Sequence, residues 1–199
     1  MTARRTGGAL ALIVALGLSG LAVATAPDND DTVGPVVSTA PSGETATTRQ
    51  FSARVDEVSL AQEIDVSYGA NSFSFLTEQL PTEGVWVVVD VTITNTYGPI
   101  LLHYSQLRIG GVEYRTTSLL PTPTVVSHRF GPGIPVRGPL VFEVPASVLE
   151  SDAAAHAVLD IRATLTPQLD GVTVHDLDLS GLTVDDSVVL GGATVEEGF

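Results

Sequence analysis

The pattern Asp176-x-Asp178-x-Ser180-Gly181 is the part of this sequence that most resembles a site for metal chemistry. Alternating carboxylate and hydroxyl oxygens of this kind open the calcium loop of EF-hand proteins. The complete loop needs a glutamate at its twelfth position, where this chain has Ser187, and flanking helices, where this chain has a strand pattern. We therefore expect a polar strand end and a turn here, with no metal and no cofactor.

The four histidines are scattered along the chain and share no metal-ligand spacing such as HxH or HxxxH. They are His103, His128, His156 and His175. His128 and Arg129 form the most site-like pair because they lie in the proline-containing connection 119–136, and loops on rigid scaffolds often carry function. A solvated loop is nevertheless the prediction for this pair.

Signatures of nucleophilic and acid–base catalysis are also missing from the sequence. The chain has no cysteine and no lysine, and it has no Gly-x-Ser-x-Gly elbow. The carboxylate pairs Asp185-Asp186 and Glu196-Glu197 fall near the C-terminal end, where no rigid, desolvated cleft is predicted. The sequence therefore predicts a protein that is not an enzyme, with no catalytic, cofactor-binding or metal-binding residue, and it leaves the binding residues undefined.

The charge balance limits the partners. Nine arginines face 23 acidic residues, which gives a formal net charge of −14. Such a surface repels the phosphates of nucleic acids and the anionic headgroups of lipids. Nucleic-acid binding is therefore excluded as an expected function, and a soluble, self-repelling surface is predicted.

The N-terminal end predicts export. Arg4 and Arg5 precede the uncharged stretch Thr6–Pro27, which as a helix would span about 33 Å and cross a hydrocarbon core. The basic end stays in the cytoplasm, so the rest of the chain faces outward. We expect residues 1–27 to be an uncleaved single-pass membrane anchor. The alternative is a signal peptide cleaved near Ala26, which would give a secreted protein, although Pro27 directly after the cut disfavours cleavage.

The rest of the chain has the hydrophobic period of β-strands. In Gly84–Asn95, valines and Ile93 alternate with Trp86, Asp90 and threonines, as in a half-buried or central strand. Further strands are predicted around 51–55, 64–76, 101–116, 140–144 and 157–164, with a Gly110-Gly111 hairpin turn. Near His175-Asp176 the apolar phase slips by one residue, which predicts a bulge or a crossing between sheets.

These strands predict an all-β fold, an immunoglobulin-like antiparallel β-sandwich with Trp86 in its core. The predicted organisation is an anchor or signal helix at 1–27, a disordered linker at 28–48, the sandwich at 49–181 and an acidic tail at 182–199. A last strand is expected at Ser187–Leu190 within that tail.

The strand motifs also resemble a bacterial family of exported immunoglobulin-like domains of unknown function, related in fold to the mycobacterial secreted immunoprotective antigen. The resemblance covers roughly 50–181. The motifs that carry it are GVWVVVDVTITN at 84–95, LRIGGVEY at 107–114, FGPGIP at 130–135 and GPLVFEVP at 138–145. The resemblance implies an exported sandwich, often anchored in actinobacterial relatives. It implies no catalytic residue.

Two function classes follow from this combination. The first is a non-enzymatic extracytoplasmic interaction module, tethered to the membrane by its N-terminal helix, which binds a protein partner of the cell envelope through a sheet edge or end loops. The alternative is a small-ligand or glycan-binding sensor, secreted or anchored. Exposed aromatic side chains would favour that alternative, and the candidates are Tyr68, Tyr97, Tyr104 and Tyr114.

Overall fold

The computed structural model describes most of the chain beyond the N-terminal end. The described residues are 15–21, 25, 33–68, 76–97, 100–101, 104–117, 120, 124–126, 129–164 and 169–196. The chain divides into two compact units, 1–34 and 35–199.

In the first unit, residues 15–21 are helical, and the hydroxyl of Ser19 donates to the carbonyl of Ala15 at 2.9 Å. Among the described residues, no helix is long and apolar enough to span a membrane. Most of the predicted anchor or signal helix at 1–27 lies outside the described residues.

The second unit is a β-sandwich of two main sheets. The first, sheet A, has the strand order β1-β11-β10-β6-β7. Its strands are β1 (Val36–Pro41), β6 (Tyr104–Ile109), β7 (Val112–Arg115), β10 (Ala157–Arg162) and β11 (Gly171–Leu177). All its pairings are antiparallel except that of β1 with β11, which is parallel.

Sheet B has the strand order β12-β3-β4-β9-β13, with β2 also paired to β3. Its strands are β2 (Thr45–Thr47), β3 (Phe51–Tyr68), β4 (Leu76–Asn95), β9 (Pro135–Val144), β12 (Val184–Leu190) and β13 (Thr194–Val195). Only β12 with β3 is parallel. The remaining elements are the paired strands β5 (Ile100–Leu101) and β8 (Arg129–Phe130), helix α1 (Ala146–Leu149) and a 3-10 helix (Asp152–His156).

The two sheets bury one core between them, and the predicted alternation decides which side chains enter it. In β4, every second residue from Val85 to Ile93 is buried in this core. These side chains lie in one cluster with residues of β9 and β10 such as Phe142 and Leu159. The Gly110-Gly111 hairpin is confirmed, because both glycines have positive φ, 58° and 82°, as a tight hairpin turn requires.

The long strands β3 and β4 join segments that the sequence suggested were separate. Their pairing continues from Phe51 opposite Asn95 to Tyr68 opposite Leu76, with register shifts between Val55 and Glu57 and between Ala61 and Glu63. Such shifts bend a strand and increase its twist. Each of the two long strands can therefore stay paired with the other along its whole length.

The prediction of a disordered linker at 28–48 is wrong for 36–47, because β1 and β2 lie there. Likewise, 184–190 and 194–195 of the predicted acidic tail form β12 and β13. The last strand expected at Ser187–Leu190 is confirmed as the end of β12. Main-chain hydrogen bonds to β11, β3 and β9 order the added strands. The purely antiparallel prediction is also wrong, since β1 and β12 reach their parallel neighbours through long stretches of chain, as parallel pairing needs.

The predicted phase slip at His175-Asp176 does not occur. β11 pairs with β10 without a register shift, so Thr173, His175 and Leu177 all face the core, while Val172 and Val174 lie on the opposite face. On that face Val172 is buried and Val174 is half-buried, beside Val37 and Thr39 of β1, so apolar residues occur in both phases.

Trp86 is buried, as expected, but on the outer face of sheet B. It belongs to a second apolar cluster with members such as Val88, Val141 and Leu190, and its indole Nε1–H donates to the carbonyl of Leu80 at 2.9 Å. The tryptophan that suggested an immunoglobulin-like core therefore packs outside the space between the sheets.

Candidate interaction surface

β1 lies at one edge of sheet A and has a free side. Val36 N–H donates to the carbonyl of Asp170 at 2.9 Å, and the parallel register continues to Pro41. Because alternate residues of a strand direct their main-chain groups to the same side, Val37 and Thr39 direct theirs away from β11. No strand in the described part of the chain pairs with that side of β1.

The edge strand carries no charge and has apolar side chains beside it, while Asp170 and Asp176 lie next to its first and last residues. The side chains of Val36, Val37 and Leu169 are 61%, 54% and 60% exposed, and Leu169 lies just before the residue that accepts the first hydrogen bond of β1. No charged residue occurs between 32 and 43. An extended chain paired with Val37 and Thr39 therefore meets no charged side chain of β1 itself.

The edge strand is held firmly against the sandwich. Ser38 Oγ accepts a hydrogen bond from Thr47 N–H at 3.1 Å, and Ala40 and Ala46 are buried. Gly171 of β11 leaves no room for a side chain, since a Cβ there would lie 2.2 Å from Thr48. β1 is thus a preformed part of the sheet.

A cleft of about 410 Å³ on the outer face of sheet B is the second candidate surface. Its apolar wall is formed by Val88, Pro139 and Leu190. Its polar end is lined by Asp90 and Arg137. The cleft therefore has the mixed lining that small-molecule sites commonly have.

Arg137 is the cation shared by the carboxylates of this cleft. Its guanidinium lies 3.4 Å from Asp90, 3.7 Å from Glu57 and 3.9 Å from Asp56. Burial raises the pKa of Asp90, and Arg137 offsets only part of that rise. Asp56 is paired chiefly with Arg54, whose Nε lies 2.6 Å from its carboxylate. The two carboxylates that line the cleft, Glu57 and Asp90, therefore share one lining arginine and are incompletely balanced.

The third candidate surface is a polar cluster on the outer face of sheet A. The buried carboxylate of Asp160 accepts hydrogen bonds from Arg108 and Arg162, both at 3.0 Å, and from Gln106 at 3.2 Å. Arg162 also lies 5.9 Å from the centre of the Tyr104 ring. Because Asp160 is paired on both carboxylate oxygens, we interpret this cluster as structural.

The calcium-like pattern forms a turn. Asp178 Oδ1 accepts hydrogen bonds from Ser180 N–H at 3.0 Å and from Ser180 Oγ at 2.7 Å, and these bonds lower the pKa of Asp178. Ser187 lies in the exposed strand β12. The part of the chain that the structure covers contains no group of three or more acidic, histidine or cysteine side chains placed to hold a metal ion.

The histidines take up separate positions. His156 is exposed at the end of the 3-10 helix, and His175 is fully buried on the inner face of β11. Neither ring nitrogen of His175 has a hydrogen-bond partner among the described residues, and burial lowers its pKa while neighbouring Asp176 opposes that shift. His103 and His128 lie outside the described residues, so the His128-Arg129 pair stays a prediction.

The tyrosines offered as ligand contacts are dispersed. Tyr97 is 67% exposed, Tyr104 lies partly exposed on sheet A, and Tyr114 packs against the core. The Tyr68 side chain lies outside the described residues. The three described tyrosine side chains share no aromatic surface, although Tyr97 and Tyr104 keep some exposed area.

Sequence reasoning missed β1, because it assigned Val37 and Thr39 to a linker. The available signal was a pair of valines followed by Ser and Thr, bracketed by Pro35 and Pro41 in an uncharged stretch. Proline is tolerated at the ends of edge strands, and β-branched residues favour strands.

Comparison with known proteins gives likenesses of fold only. A crystal structure of an uncharacterised β-sandwich protein from Clostridium difficile is 12% identical, with a TM-score of 0.49, and the match covers 76% of this chain and 99% of that chain. A candidate lipoprotein from Staphylococcus aureus is 10% identical, with a TM-score of 0.44, covering 75% and 97%. No protein-family model and no curated protein matches the chain, so the family resemblance in the strand motifs is not confirmed.

Proposed function

We propose that this chain is a non-enzymatic, extracytoplasmic interaction module that binds a protein partner of the cell envelope by adding a strand of that partner to β1. The observation that carries the proposal is the free side of β1, where the main-chain groups of Val37 and Thr39 point outward in an uncharged segment. Strand addition to a free edge gains main-chain hydrogen bonds, and the neighbouring side chains provide selectivity.

The N-terminal sequence supports the extracytoplasmic part of the proposal. A basic pair followed by a long uncharged stretch directs the following domain outward, and we propose single-pass tethering by 1–27. Secretion after cleavage near Ala26 is the alternative. An immunoglobulin-like arrangement of the sandwich also remains a proposal, supported by the transfer of the chain from sheet A at β1 to sheet B at β2.

Site-specific photocrosslinking in an actinobacterial host tests the binding mode. A photoreactive residue at Thr39 on the β1 edge is expected to form one discrete adduct with an envelope protein. The same residue at Val189, which is 69% exposed on β12, is the matched control and is expected to form none. Thr39→Pro, which removes one outward N–H, is expected to abolish partner binding by the otherwise intact chain.

The proposal fails if Thr39 and Val189 give the same adducts, or if Thr39→Pro binds the partner as tightly as the unchanged chain does. Folding of Thr39→Pro is checked by circular dichroism and by its denaturant midpoint. The main-chain nitrogen of Thr39 bonds nothing in β11, so the change is expected to leave the parallel ladder in place.

The cleft on sheet B favours a second function, a small-ligand sensor. Its apolar walls and incompletely balanced carboxylates suit an organic cation with an aliphatic body. An alkylamine is then expected to raise the thermal midpoint of the chain, whereas the matching alkyl carboxylate is not. Asp90→Asn should remove the effect and Glu113→Gln, outside the cleft, should retain it; equal shifts for amine and carboxylate would exclude this function.

A further inference from the structure

The edges of the two sheets differ in how they are protected against pairing. Native proteins blunt exposed edges with charged side chains, bulges, prolines or short strands. β7 contains Glu113 and Arg115, β12 contains Asp185 and Asp186, and β13 has two residues. β1 is six residues long and contains no charge, and its one proline, Pro41, is its last residue.

We infer that the strand added to β1 is the β1 of a second copy of this chain, paired antiparallel about a twofold axis at Ser38. This inference rests on the proposed use of the β1 edge and names its occupant. In this arrangement Val37 of each copy lies opposite Thr39 of the other. Each such pair exchanges two N–H···O bonds, so the twofold axis creates four bonds.

The register follows from which main-chain groups are free. Val36 N–H is bound to the carbonyl of Asp170, so the groups of Val37 and Thr39 are the ones that face outward. Centring the pairing on Ser38 places all four outward-facing groups opposite complementary groups. Val36 then lies opposite Ala40 of the second copy, and both lie between the prolines that bracket the strand.

The charge distribution favours a second copy at this edge over contact elsewhere. Two chains of net charge −14 repel each other, and the repulsion is smallest where the uncharged segment 32–43 forms the contact. Edge-to-edge pairing also extends sheet A sideways and leaves the acidic outer face of sheet B away from the contact. The exposed apolar side chains of Val36, Val37 and Leu169 lie beside the new strand pair.

The interface is expected to be weak in free solution. Two six-residue strands span roughly 20 Å and cannot bury the roughly 1,600 Å² of a standard stable interface. Chains held in one membrane meet at a much higher effective concentration, which is how a weak edge contact becomes a populated dimer.

The absence of cysteine from the chain gives a clean test. In the proposed dimer, Ser38 of one copy faces Ser38 of the other at a non-hydrogen-bonded position, where Cα atoms are about 4.5 Å apart, within disulfide range. Full-length Ser38→Cys is therefore expected to form a disulfide-linked dimer on mild oxidation. Ser187→Cys, on the charged edge strand β12, is the matched control and is expected to stay monomeric.

Sedimentation of the unchanged chain from micromolar to millimolar concentration provides the second measurement. We expect a reversible monomer–dimer equilibrium that Val37→Glu weakens about threefold or more, because it places like charges on adjacent strands and adds to the repulsion between two acidic chains. Val112→Glu, at a valine of β7 that is 52% exposed, should leave the equilibrium unchanged.

The inference is overturned if the chain is monomeric at millimolar concentration, or if Ser38→Cys and Ser187→Cys crosslink to the same extent. The Thr39 photocrosslink separates the two ideas. An adduct with a different envelope protein would remove the homodimer and keep strand addition at β1, whereas no adduct at Thr39 together with a monomeric chain would remove both.

Discussion

At the residue scale, close packing limits which side chains a few positions can accept. Gly84 lies in β4 directly against β9, and a Cβ added there would be 2.5 Å from the carbonyl oxygen of Val144. His175 is enclosed by the core without a partner for either nitrogen among the described residues. The packing at each position leads to a prediction about stability.

Gly84→Ala is expected to destabilise the sandwich by about 1–3 kcal/mol, because the added methyl group forces β4 and β9 apart. Gly181→Ala is the matched control, since nothing lies within 4 Å of a Cβ at that turn. Urea unfolding followed by tryptophan fluorescence measures both variants. Equal midpoints for the two variants would contradict the close approach of the strands.

His175 is expected to make stability fall as the pH falls below about 6.5, the pKa of an unfolded histidine. The folded protein lowers the pKa of His175 by burial, so the unfolded chain binds a proton first. The stabilisation is complete above that pH and is lost towards the lower folded-state pKa, with a slope approaching about 1.4 kcal/mol per pH unit.

His175→Leu removes this titration and should flatten the stability profile between pH 7 and pH 5, measured by urea unfolding at each pH. It should also retain stability at pH 7, because an unpartnered buried polar group is replaced by an apolar one. His156→Gln, at an exposed position, should keep the slope of the unchanged chain. An unaltered slope in His175→Leu would show that carboxylates alone cause the acid sensitivity.

At the element scale, the edges of the sheets extend the domain beyond its evident strands. β1 and β2 precede the strand that begins at Phe51, and β12 and β13 follow Gly181. Ala40, Ala46 and Leu190 are buried in these segments, so their removal would open apolar surface as well as break ladder bonds.

A chain of residues 35–196 is therefore expected to unfold cooperatively and to be more stable than one of residues 49–181, by several kcal/mol. The difference arises because the shorter chain exposes the edges of β11 and β3 and the side chains that β1, β2 and β12 cover. Calorimetry on both chains measures it. Equal stability would mean that the added strands contribute no net free energy.

At the scale of the whole molecule, the fate of the N-terminal segment decides where the sandwich works. Full-length protein expressed in an actinobacterial host and fractionated is expected in the membrane fraction, beginning at or near Met1. This result is expected because basic residues before an uncharged stretch favour retention of that end inside the cell. Sequencing the N-terminus checks this, and a product in the medium that begins at Pro27 would instead establish cleavage and secretion.

The sequence by itself determined the strands that pack on the main core. The alternation in Gly84–Asn95 and the Gly110-Gly111 turn predicted local structure, because the strand period and positive φ are properties of short segments. The sequence also made nucleic-acid binding an unexpected function, because the net charge of −14 does not depend on the fold. The candidate site was not predictable in this way, because Val37 and Thr39 carry no chemical signature.

The tertiary structure alone decided the edges. The sequence predicted only the end of β12, at Ser187–Leu190, and did not predict β1. Distant partners, β11 and β3, order both strands through main-chain hydrogen bonds. The tertiary structure also decided the faces: the valines of β11 lie outside the core and His175 inside it, because the register with β10 assigns every side chain to one side. Contacts between residues far apart in sequence fixed both features, and local pattern contains no information about such contacts.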